Sequence, residues 1–166
     1  IFFRTRTTFG FSPQEVVRTY YESINSLDYL TLSDCVINNA GKAELQTVMN
    51  LYVMTRQRSI YEQSLNFISA KEWDENGRPP LKPYLPMYGI TNIKILNEEI
   101  ESGPVFIVSY EKWMTETEGT VEEYGEARVI YYGFYIKERL SLKEEKGAWV
   151  IYNIEELEKK NIIFYP

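Results

Sequence analysis

The chain has 166 residues, 44% of them hydrophobic and 15% aromatic, a size and composition that fit one globular domain, residues 1–166, better than two small ones. A formal charge of −6, a pI near 4.9 and 18 Lys and Arg residues that form no run argue against a nucleic-acid partner, because phosphate binding needs a basic face. One cysteine, Cys35, and no histidine exclude an internal disulfide, Cys/His zinc sites, Ser-His and Cys-His nucleophile pairs and any imidazole base.

The opening IFFRTRTTFG lacks the apolar core and cleavage site of a signal peptide, and residues 1–10 read as an N-terminal extension or strand. No window reaches the roughly 18 apolar residues that span a bilayer, so no membrane span is expected within the chain. A start at Ile1 fits the removal of an upstream secretion signal or anchor, which favours an extracytoplasmic location over a cytoplasmic one. In FSPQEVVRTYYESIN, Ser12 can cap a helix, Pro13 suits its first position and Glu15 lies three residues on, as in a capping box. The spacing predicts a helix over 13–26, with Val16, Val17, Tyr20, Tyr21, Ile24 and Leu27 in one apolar stripe. Asp28 then caps a short second helix, YLTLSDCVI, in which Cys35 reads as a small buried hydrophobe. A third helix is predicted over 42–66, where Leu45, Val48, Met49, Tyr52, Val53, Arg56, Ile60 and Leu65 recur near helical spacing.

ENGRPPLKPYLPMYG, with four prolines and two glycines in fifteen residues, reads as a long ordered loop centred on residues 78–89. From Ile90 the period changes to that of strands: ITNIKILNEEIE, VFIVSYEKWMTE, a long strand over 121–143, an EEKG turn and AWVIYNIEELE. Long strands joined by short turns form an antiparallel meander, and helices gathered ahead of it make an α+β layout. Alternation along the long strand puts Glu126, Arg128, Ile130, Tyr132, Phe134, Ile136, Glu138 and Leu140 on one face and Val129, Tyr131, Tyr135, Lys137 and Arg139 on the other. Either both faces are partly buried or a bulge near Gly133 exchanges them, with Gly125 and Gly133 relieving crowding at a bend.

Three helices led by EVVRTYYESINSLDYLTL and followed by a bent sheet that closes on RLSLKEEKGAWVIYNIE resemble the nuclear transport factor two-like superfamily. That group, also called cystatin-like, includes ketosteroid isomerase, scytalone dehydratase and SnoaL-type polyketide cyclases. The resemblance covers residues 11–158 and points to a bacterial member of unassigned role. It implies three N-terminal helices packed in the concave face of a strongly bent antiparallel sheet, a cone-shaped barrel whose wide end is a ligand cavity. It also implies a homodimer formed through the sheet, and no cofactor.

Laid on ketosteroid isomerase, Tyr20 takes the place of the tyrosine that donates to an enolate oxygen, and Glu138 that of a neutral acid acting as second donor. These two are the catalytic candidates. The isomerase's base has no counterpart, since Asp34 comes too early and Glu44 too late. Beside this stands the plainer reading, a core Tyr20 and a Glu138 paired with Arg139 or Lys137. Candidates for lining a cavity are Tyr20, Ile24, Tyr52 and Arg56 from the helices, with Tyr110, Glu111, Arg128, Tyr132, Phe134 and Trp149 from the strands. Arg58 and Glu126 are further ionisable residues that could face it. The acids are too dispersed for a metal site. The expected function is a non-catalytic module for a small apolar ligand or a protein partner, with a cofactor-free isomerase, dehydratase or cyclase as the alternative.

Overall fold

Ser12 opens the first helix, its hydroxyl oxygen accepting from the Glu15 N–H at 3.2 Å, with Pro13 in the first turn where no intrahelical donor is lost. A computed structural model of the chain describes residues 5–61, 67–81, 85–100, 103–118 and 128–162. Its elements are α1 (Pro13–Asn25), α2 (Tyr29–Asp34), α3 (Lys42–Tyr61), β1 (Ile68–Ser69), α4 (Ala70–Glu75), β2 (Met87–Ile100), β3 (Gly103–Glu118), β4 (Arg128–Glu145) and β5 (Ala148–Ile162). The fold is α+β, with α1 to α3 ahead of a five-stranded sheet ordered β1-β2-β3-β4-β5.

The structure corrects the expected architecture in several places. The sheet is mixed, because β1 runs parallel to β2, and the crossover that a parallel pair requires is supplied by α4 and the proline-rich segment. Among the described residues it is open, with β1 and β5 as its edges, and is not closed into a barrel. The fourth helix was legible in SAKE: Ser69 caps α4 by accepting from Glu72 N–H at 3.1 Å. The loop predicted over 78–89 ends sooner, since Met87, Tyr88 and Gly89 follow the last proline and belong to β2. The second helix stops at Asp34, leaving Cys35 as its cap, after which Cys35 and Ile37 exchange backbone hydrogen bonds with Ile151 of β5. Residues 5–10 form turns, not a strand, tied down by Asp34, whose carboxylate accepts from Thr7 N–H at 3.0 Å and Thr7 Oγ1 at 2.9 Å. The predicted helix end at 62–66 and the start of the long strand at 121–127, with Gly125 and Glu126, lie outside the described residues.

Both faces of the sheet are partly buried, which resolves the ambiguity of the long strand. The β3–β4 register runs unbroken through Trp113↔Gly133, so no bulge exchanges the faces there. One face carries Phe106, Val108, Tyr110, Ile136, Glu138 and Leu140 and packs on Val16, Val17, Tyr20, Tyr21 and Ile24 of α1. On the other face, Trp73 and Leu85 cover Met87 and Trp113, with Tyr131 packed beside them. Gly133 is required on that side. A β-carbon there would stand 2.5 Å from the Trp113 ring, so the glycine lets the indole lie against the strand.

Two irregularities flank the centre of the first face. In β2, Thr91 pairs with Glu111 and Lys94 with Ser109, so Asn92 and Ile93 form a bulge opposite Tyr110, with Asn92 at φ 53°. In β5 the register shifts between the pairings of Lys137 and Glu138. Asn25, the last residue of α1, closes a gap at the edge of β2: its Oδ1 accepts from Ile90 N–H at 2.8 Å and its Nδ2 donates to Ile90 O at 3.0 Å. Among the described residues, no helix is long and apolar enough to cross a membrane.

Candidate functional site

Strand alternation and the stripe of α1 converge on Glu138. Its backbone sits in the middle of β4 opposite Val108, and its side chain, only 8% exposed, points at α1. Tyr21 donates to Glu138 Oε1 at 2.5 Å and Tyr110 donates to the same oxygen at 3.1 Å. The other oxygen, Oε2, has no hydrogen-bond partner among the described residues. Arg139 points to the opposite face and pairs with Glu155 at 3.3 Å, so the cross-strand pairing of the plainer reading does not form. Burial pushes the Glu138 carboxyl above the usual carboxylate range, and Glu44 adds to this. The two tyrosine hydroxyls and Lys112 act in the opposite sense.

Tyr20 sits beside this pair without touching its hydrogen bonds. Its ring meets that of Tyr21 edge-on, 5.0 Å between centroids, and its hydroxyl lies over Gly41, 2.9 Å from where a β-carbon would be. It is 4% exposed, and its hydroxyl has no hydrogen-bond partner among the described residues. Burial raises its pKa well above the tyrosine norm, and the carboxylates of Glu44 and Glu138 raise it further.

Glu44, in the first turn of α3, completes the cluster. Tyr88 donates to both its oxygens at 2.9 Å, Lys112 forms a salt bridge to Oε2, and the Lys112 ammonium lies 5.2 Å over the Tyr88 ring. The interior thus holds two carboxylates, each served by tyrosine hydroxyls. Lys112 was legible from alternation, since SYEKW puts it on the same face as Tyr110. Tyr21 and Tyr88 carry no signal beyond ordinary core aromatics, and Glu44 comes too late in the sequence to match the isomerase's base.

The remaining candidates are scattered. Ile24 is in the core, and Phe134 packs against it with Tyr132 stacked on its ring at 6.4 Å. Trp149, near the start of β5 opposite Glu144 of β4, is partly buried and packs against the edge of the core. Tyr52 packs between Tyr29, at 5.2 Å, and the Arg56 guanidinium, at 5.3 Å, on the α2–α3 side. Glu111 is on the other face, where Arg78 binds it at 2.9 Å while lying 5.1 Å over both the Trp73 and Trp113 rings. Arg128 begins β4 opposite Glu118, and its side chain, like that of Arg58, lies outside the described residues. A separate surface groove of about 760 Å³ runs between the N-terminal turns and the β4–β5 hairpin, lined by Arg6, Phe9, Asp34, Val36 and Ala148 among others.

A scan against protein-family models and searches of curated proteins and of solved structures returned no match. What the cluster can do is therefore read from its chemistry. Two buried tyrosine hydroxyls committed to one carboxylate oxygen cannot also serve a developing oxyanion. The groups left to meet a ligand are the Tyr20 hydroxyl and Glu138 Oε2.

Proposed function

We propose that the chain binds a small ligand with a largely apolar body in the interior between α1, α3 and the helix-side face of β2 to β4, and does no chemistry on it. The observation that carries this reading is the pair of polar atoms, Tyr20 Oη and Glu138 Oε2, that have no hydrogen-bond partner among the described residues although Tyr20 is 4% and Glu138 8% exposed. Neither atom is sealed from solvent, so water or the polar head of a ligand can meet it. The bulges opposite Tyr110 and beside Glu138 support a sheet curved into a cone about α1, since bulges bend and twist strands. Self-association through the sheet as a homodimer belongs to the same reading, and Leu96, 65% exposed on the outer face, would lie in that contact. The superfamily resemblance carried by α1 supports both.

The test is an NMR or calorimetric titration with benzyl alcohol, a neutral probe of apolar body and single polar head. Saturable 1:1 binding, weakened about three- to tenfold in Tyr20→Phe by loss of one hydrogen bond, is expected. Absence of saturable binding would overturn the reading.

A cofactor-free isomerase is favoured by one observation, the closeness of a second acid, Glu44, to Tyr20 and Glu138. Catalysed deuterium exchange at the α-carbon of a cyclic ketone, lost in Tyr20→Phe, would replace the binding reading with this one. Its absence is expected.

A further inference from the structure

The groove between the N-terminal turns and the β4–β5 hairpin has both walls fixed by local backbone geometry. On one wall Arg6 Nη1 donates to Asp34 O at 2.9 Å, Thr7 donates twice to the Asp34 carboxylate, and Phe9 N–H donates to Arg6 O at 3.1 Å. The other wall is the hairpin, which turns through Lys146 at φ 51° and Gly147 at φ 80°. Gly147 lets Phe9 lie against that turn, since a β-carbon there would stand 3.2 Å from the ring. The ring remains 59% exposed, and with Val36, Ile37 and Ala148 it gives the groove of about 760 Å³ an apolar lining. That volume lies in the range of small-molecule sites.

Four charged residues line the groove, Arg6 and Asp34 on one wall and Glu145 and Lys146 on the other. Asp34 is buried and its carboxylate is taken by Thr7, while Lys146 is exposed to solvent at the tip of the hairpin. Arg6 and Glu145 are half-buried, and neither has an ion-pair partner among the described residues. One N–H of the guanidinium anchors it to Asp34 O, which leaves further donors in a rigid fork that matches a carboxylate. The Glu145 carboxylate only accepts, and so matches an ammonium. The geometry points to a zwitterion in this groove, an α-amino acid or short peptide with an apolar side chain. Its carboxylate meets Arg6, its ammonium meets Glu145, and its side chain lies on Phe9, Val36 and Ala148. A ligand of single charge satisfies one wall and brings nothing to the other. Free amino acid and short peptide share this chemistry and differ in the span between their heads. The site is separate from the interior around Glu138, and neither depends on the other.

Calorimetric titrations of the full chain at pH 7.5 with L-phenylalanine, the tripeptide Gly-Phe-Gly, 3-phenylpropanoate and 2-phenylethylammonium test it. At least one zwitterion is expected to bind saturably, about tenfold or more tightly than either singly charged probe, and the tighter of the two identifies the source. Arg6→Gln should bring that zwitterion down to the level of the ammonium probe or below, and leave the ammonium probe unchanged. Glu145→Gln should bring it down to the level of 3-phenylpropanoate or below, and leave that probe unchanged. Damage to the fold would weaken every probe alike, so the crossed pattern belongs to recognition alone. Arg6→Lys, which keeps the charge and a donor for Asp34 O, should retain more of the affinity than Arg6→Gln. Equal affinities for zwitterions and singly charged probes, variants that bind the zwitterion unchanged, or no saturable binding of either zwitterion would overturn the proposal. None of these results bears on benzyl alcohol in the interior.

Discussion

Tyr21 and Glu138, 117 residues apart in the chain, meet in the interior through a hydrogen bond of 2.5 Å that ties the middle of α1 to the middle of β4. Tyr110 shares the same acceptor, so one carboxylate oxygen joins a helix and two strands. Glu138→Ala should therefore cost about 2–4 kcal/mol, because it strands two buried hydroxyl donors, whereas Glu138→Gln should cost about 1 kcal/mol or less. Chemical denaturation of both variants checks this. Equal losses would mean that the acceptor oxygen is not what holds the elements together.

The same carboxyl makes stability depend on pH with a definite sign. Burial, helped by Glu44, holds the folded-state pKa of Glu138 above its unfolded value of 4.5 against the pull of Tyr21, Tyr110 and Lys112. The native state then binds the proton more tightly than the unfolded chain. This stabilising term is fully present below the unfolded pKa and is lost as pH rises through the folded one. Denaturation midpoints between pH 4 and 8 should show the wild type losing stability relative to Glu138→Gln as pH rises; parallel profiles would contradict it.

Two local devices set how the sheet meets its neighbours. Gly133→Ala should destabilise by about 1–3 kcal/mol, since the new methyl would stand 2.5 Å from the Trp113 ring. Asn25→Ala should cost a comparable amount, about 1–3 kcal/mol, by stripping both Ile90 backbone groups of their partner. Asn25→Asp, which keeps the acceptor for Ile90 N–H, should fall between Ala and wild type. Thermal melts order the three.

Cys35 caps α2, is fully buried, and has its thiol pKa pushed up to about 12 by burial, with Asp34 next. It should therefore resist a disulfide reagent at pH 8 in the native chain and react at once in denaturant. Fast native labelling would mean that the α2–β5 junction, where Cys35 O accepts from Ile151 N–H, opens readily.

Much of this was legible before the fold was seen. The capping serine and proline of α1, its apolar stripe and the alternation that puts Glu138 with Phe134 and Leu140 follow from local chemistry. Alternation says which face Glu138 takes, but not which helix residue lies beneath it. The sequence phrase pointed to Tyr20, while the interior joins Glu138 to its neighbour Tyr21, because a one-residue step on a helix turns about 100° and long-range packing decides which ring arrives. The parallel β1 is two residues long and carries no period of its own. Glu44 and Lys112 read separately as a helix-start acid and a strand lysine. Only the folding of α3 across β2 and β3 makes them an internal ion pair.

The central claim, that Tyr20 and Glu138 face a ligand in the interior, is tested most directly by NMR of chain carrying ring-labelled tyrosine, titrated with benzyl alcohol. The account predicts saturable shifts at Tyr20, Tyr21 and Tyr110, each assigned by a Phe substitution, with Tyr152 on the exposed end of the sheet unmoved. Saturation with the three interior rings silent would contradict it and move the ligand elsewhere, with the groove beside Phe9 and Ala148 the first place to look.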